Sequence, residues 1–137
     1  METSGARPRF LTVMAVLFTV LAISNATKSL QSLVGAELGI VLFGVRFHGF
    51  WWNILLGPIL ALVPAALAAG LFGMRTWVWP LSAAYAFYVP TNLVLFWFLH
   101  PEIERPPVFG ILVYLVIALG GSIGTALFLA RHRELLR

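Results

Sequence analysis

The chain has 137 residues, 61% of them hydrophobic and only 10% charged, with no cysteine and a formal net charge of +4. Soluble domains carry about 25% charged residues, so a chain this apolar needs lipid as its solvent, and the missing thiol excludes cysteine redox chemistry, lipoprotein attachment and cysteine metal sites. The nine Lys and Arg residues sit in ones and twos beside apolar runs, which is the pattern of membrane topology signals and not of a nucleic-acid footprint.

A single domain, 1–137, is expected. A short polar tail with Arg7, Pro8 and Arg9 leads into an uncharged run at 10–27. A signal peptide competes for this stretch, because basic residues precede an apolar run and Ser24-Asn25-Ala26 loosely resembles a cleavage site. The expectation is an uncleaved first span. Segment 28–46 is too polar to cross, with Lys28, Gln31 and Glu37 inside it. Leu30, Leu33, Val34, Leu38, Val41, Leu42 and Val45 nevertheless follow helical spacing. This predicts an amphipathic interfacial segment: a short helix, then an irregular stretch weakened by Gly35, Gly39, Gly44 and Gly49. A strand-like alternation is also present from 41 to 47.

The second span, about 50–73, lies within a stretch bounded by Arg46 and Arg75 and free of Asp, Glu, Lys and Arg. As a helix, that stretch reaches roughly 42 Å, against a bilayer core of ~30 Å. Pro58 and Pro64 should bend it. Gly57, Ala61, Ala65, Ala69 and Gly73 recur every four residues and form a ladder that lets another backbone approach closely. A tight turn at Met74 and Arg75 leads to a third span, about 77–99, containing Pro80 and Pro90. A Pro-rich loop then gives way to a fourth span, about 108–130, in which Gly120 and Gly124 make a GxxxG pair. The whole reads as an all-α polytopic membrane protein, with four transmembrane helices in an antiparallel bundle. Basic residues favour both termini inside, with Arg7, Arg9, Arg75, Arg131, Arg133 and Arg137 on one side and Lys28, Arg46 and Arg105 on the other. The location expected is the inner (plasma) membrane of a bacterium.

Chemistry-bearing residues are few. Asn25, Asn53 and Asn92 fall in the outer half of the bundle, and Tyr85, Tyr88 and Asn92 share one helix face. They could line a polar pocket or simply hydrogen-bond between helices. His48, His100, Glu102 and Glu104 are weak metal candidates, because their spacing matches no ligand motif. No ionisable residue lies inside any span, which argues against a pump, coupled transporter or channel. The same absence leaves an intramembrane hydrolase without its acid and base.

The stretch Leu42-Phe43-Gly44-Val45-Arg46-Phe47 with Gly49, followed by Gly70-Leu71-Phe72-Gly73-Met74-Arg75-Thr76-Trp77 and Pro80-Leu81, resembles small four-helix bacterial membrane proteins of uncharacterised or DoxX-like type. The resemblance covers about a third of the chain. It implies the four-helix architecture and carries over no catalytic residues. The expected function is non-enzymatic, without a cofactor: a subunit or assembly partner of a larger membrane complex, the ladder either packing inside the bundle or receiving a second membrane protein or a copy of the chain. The alternative is a binder or carrier of a lipid, quinone or other apolar small molecule.

Overall fold

The computed structural model describes residues 7–34, 39–101 and 115–137. They are mostly helical, and three helices are long and apolar enough to cross a membrane: α1 (Arg9–Ala26), α3 (Phe50–Gly73) and α4 (Val78–Leu99). Each ends where the sequence supplies a polar or conformational stop. Between α1 and α3 lie the short helix α2 (Lys28–Leu33) and two strands, β1 (Ile40–Leu42) and β2 (Val45–Phe47). The first part of the expected fourth span lies outside the described residues. Its described part is a π-helical segment, Leu115–Gly120, running into α5 (Gly121–Arg131) and a short 3-10 turn.

Where an irregular stretch is expected from the four glycines, the chain forms an antiparallel hairpin. Ile40 pairs with Phe47, Val41 with Arg46 and Leu42 with Val45. The two loop residues, Phe43 and Gly44, both have positive φ, 47° and 79°. That is the backbone of a type I′ turn, whose twist matches the flanking strands.

The most extensive helix pairing joins α1 to α3, and α2 covers the start of α3. Close approach depends on Gly57, where an added Cβ would lie 2.7 Å from the Asn25 carbonyl oxygen. Thr27 breaks the path between α1 and α2, and its hydroxyl donates to the Ile23 carbonyl at 2.8 Å. Gln31 Nε2 then donates to Thr27 Oγ1 at 3.2 Å. These bonds fix the backbone around Lys28. On α2 the apolar residues Leu30, Leu33 and Val34 face outward, while Ser32 turns inward to Asn53.

α3 runs through both Pro58 and Pro64 and ends in a Schellman motif. The Arg75 amide donates to the Gly70 carbonyl and the Met74 amide to Leu71. Met74 itself holds the left-handed position, at φ 50°, although Gly73 stands one residue earlier. The buried face of α3 comprises Asn53, Gly57, Ala61, Pro64, Leu67, Ala68, Gly70 and Leu71. Only the first two rungs of the small-residue ladder belong to it; Ala65, Ala69 and Gly73 are exposed. A four-residue step overshoots one turn by about 40°, so four steps rotate the ladder by roughly 160° around the helix.

The described core sits at one end of the molecule. Leu11, Ala15, Phe18, Leu67, Ala68, Leu71, Val78 and Leu129 form it. The same end gathers arginines. The Arg7 guanidinium donates to the Phe72 carbonyl and lies over the Phe72 ring. Arg133 stacks on Trp79 at 3.8 Å. Phe10 meets Phe128 at 5.1 Å. Arg137 joins the α3–α4 turn through its amide to the Met74 carbonyl and its carbonyl to the Thr76 amide.

Candidate functional site

Away from this core, the hairpin, α1, α3 and α4 enclose a cavity of about 440 Å³. One wall is the β1 side of the hairpin, from Gly39 through Ile40, Val41 and Leu42 to Phe43. The facing wall is α4, with Leu81, Ala84, Tyr85, Tyr88, Val89 and Asn92. Leu60 and Val63 of α3 form the floor, and Asn25 and Lys28 stand at the α1–α2 junction. The volume falls in the ~300–1,000 Å³ range of small-molecule pockets, and the mostly apolar lining with a few polar groups is typical of them.

Four of the five residues expected to form a pocket, Asn25, Tyr85, Tyr88 and Asn92, line this cavity. Asn53 does not. It is buried between α3 and α2, where its Nδ2 donates to Ser32 Oγ at 3.4 Å and its Oδ1 has no hydrogen-bond partner among the described residues. Helical spacing of three, four and seven residues puts Tyr85, Tyr88 and Asn92 on one stripe of α4. The two tyrosine rings lie 6.2 Å apart. Phe18 meets the Tyr85 ring edge-on at 5.8 Å, and Phe43 meets Tyr88 in the same way at 5.4 Å. Tyr85 therefore ties the cavity to the core, and Tyr88 ties it to the hairpin tip.

Asn92 fastens the hairpin to α4. The Gly44 amide donates to Asn92 Oδ1 at 2.9 Å, and Asn92 Nδ2 reaches the Val41 carbonyl at 3.5 Å. Gly44 sits so close to α4 that an added Cβ would lie 2.6 Å from the Leu95 carbonyl carbon. One amide side chain thus partners a donor and an acceptor on the hairpin, both of which would otherwise be costly to bury.

Two residues of the cavity region were not among those expected to form a site. Lys28 reads in the sequence as an interfacial topology signal, yet it is half-buried in the cavity wall. Burial holds its pKa below the usual lysine value. The spacing to Asn25, three residues on a helical path, is the sequence feature that could have linked them. Arg46 folds over Gly39, with its Nε 2.7 Å from where a Gly39 Cβ would stand. Of the five acidic residues, only Glu134 is among the described ones, and it lies at the arginine-rich end.

The remaining expectations do not converge on the cavity. Gly124 faces Phe10, whereas an added Cβ at Gly120 would meet open space. His48 is exposed, and the His100 ring lies 5.0 Å from Phe96. Glu102 and Glu104 lie outside the described residues, and among the described residues no three His, Cys, Asp or Glu side chains gather. No protein-family model, curated protein or solved structure matches this chain.

Proposed function

We propose that the chain is a four-span integral membrane protein that binds or carries an apolar small molecule in the cavity between hairpin and α4. The carrying observation is that an apolar cavity of about 440 Å³ collects Asn25, Tyr85, Tyr88 and Asn92 in one wall system. An antiparallel bundle is supported by the contacts at the arginine-rich end, which join the start of α1 and α4 to the end of α3 and α5. The start of α1 and Lys28 are about 28 Å apart along the helix path, close to a bilayer core of ~30 Å. The arginine bias makes that end cytoplasmic, so the cavity opens in the outer half of an inner-membrane protein.

The hairpin supports the same reading. Non-helical backbone at membrane depth is tolerated where it is buried in protein or lines a cavity, and β1 of this hairpin lines the cavity, with Ile40 buried. Purification in mild detergent, followed by solvent extraction and mass spectrometry, tests the proposal. The wild-type protein is expected to retain an apolar molecule in near-stoichiometric amount. Leu60→Trp, which fills the floor, should lose it while still eluting as a folded species. A wild-type protein that retains none, or a Leu60→Trp variant that retains as much, would count against the role.

A second reading, as a subunit of a larger membrane complex, is favoured by one observation. Ala65 and Ala69 leave an exposed small-residue strip on α3, onto which a partner helix or a second copy could fit.

A further inference from the structure

We propose that the cavity takes an amphipathic monoanion, its head held at Lys28 and its apolar body lying between the hairpin and α4. This rests on the binding role above and adds the charge and orientation of the ligand.

Lys28 lines the cavity and is half-buried. An ammonium half-removed from water in a cavity wall is favoured by an anionic or hydrogen-bonding partner. Among the described residues the only carboxylate side chain is that of Glu134, beyond the core at the other end. Arg46 folds over Gly39, which lines the cavity, and brings a second positive charge to that strand. Asn25, three residues before Lys28, lines the mouth beside it. The hydrogen bonds of Thr27 and Gln31 across the α1–α2 junction hold this corner in place. A lysine acts as a compact point charge with rotatable donors, suited to a carboxylate, sulfonate or phosphate head. Beyond that corner, Ile40, Leu60 and Val89 with the tyrosine rings offer a surface that only an apolar body would cover.

A head of this kind has two sources: a free amphiphile, or an anionic lipid of the surrounding leaflet. The test uses the full chain in phosphatidylcholine nanodiscs, with tritiated hexadecanesulfonate and tritiated hexadecanol as probes. Both have the same chain length, and the sulfonate stays ionised at every working pH. The wild type is expected to bind the sulfonate roughly tenfold more tightly than the alcohol. Lys28→Gln should remove most of that preference, while Lys28→Arg should keep it. Replacing half of the phosphatidylcholine with phosphatidylglycerol identifies the source: competition with the sulfonate assigns the site to bilayer lipid, and lack of competition assigns it to a free amphiphile. Equal binding of sulfonate and alcohol by the wild type overturns the anion inference but leaves the binding role standing. A preference that survives Lys28→Gln overturns the place of Lys28. Binding of neither probe overturns both readings.

Discussion

At the scale of single residues, two glycines make opposite demands on the fold. Gly57 lets the Asn25 carbonyl rest against the α3 backbone, whereas an added Cβ at Gly120 would meet open space. Replacing either with alanine gains about 1 kcal/mol of helix propensity. At Gly57 the new methyl would also collide with backbone, and overpacking of that kind costs about 1–3 kcal/mol. Thermal melting in detergent should therefore show Gly57→Ala below wild type and Gly120→Ala at or above it. Equal shifts would mean that the α1–α3 approach is looser than described. Gly57 could be singled out in the sequence as one rung of a small-residue series, but not as the rung that mattered, because its partner is a backbone carbonyl oxygen on α1, which no side-chain pattern reports. Lys28 was hidden for a related reason: a lysine following an apolar run reads as a boundary marker until the hairpin is placed beside it.

At the scale of elements, α3 shows how a repeat of four differs from a helix face. The buried stripe follows 3.6-residue spacing through Ala61, Pro64 and Ala68, and the ladder rotates out of it at Ala65. Ala61→Leu should lower the melting temperature of the isolated protein, by an overpacking cost of about 1–3 kcal/mol. Ala65→Leu should leave it unchanged; if a partner helix uses that strip, the partner would no longer co-purify. The reverse order of stability between the two variants would contradict the described face. The bounds of α1, α3 and α4 were legible because charged or turn-forming residues punctuate long apolar runs. The hairpin was not. Its type I′ loop has phenylalanine at the first positive-φ position, where asparagine, aspartate or glycine is the usual signal. Each strand has only three residues, too few for alternation to outweigh the competing helical spacing. The contacts that hold Phe43 and Gly44, with Tyr88 and Asn92, come from residues more than forty positions away.

At the scale of the molecule, the two ends differ in kind. The arginine-rich end is filled by Leu11, Phe18, Leu67, Leu71 and Leu129 and clasped by stacked and hydrogen-bonded arginines. The other end is hollow, and its walls come from α1, α2, the hairpin, α3 and α4. The asparagines could be read toward one end of a bundle, and Tyr85, Tyr88 and Asn92 onto one helix face, but a cavity needs the fold that brings the hairpin against α4. The proposed binding role requires a ligand seated in this hollow end, at a site separate from the lipid contact on the outside of α4. A tritiated diazirine analogue of hexadecanol, photolysed with the protein in nanodiscs and mapped by peptide mass spectrometry, tests it most directly, because α4 carries its own control. Tyr85 and Tyr88 line the cavity, whereas Phe87 and Val94 on the same helix are 74% and 67% exposed. Saturable labelling is expected at Tyr85 and Tyr88, with Phe87 and Val94 labelled only in proportion to probe concentration. Saturable labelling absent from the tyrosines, with adducts confined to Phe87 and Val94, would contradict it.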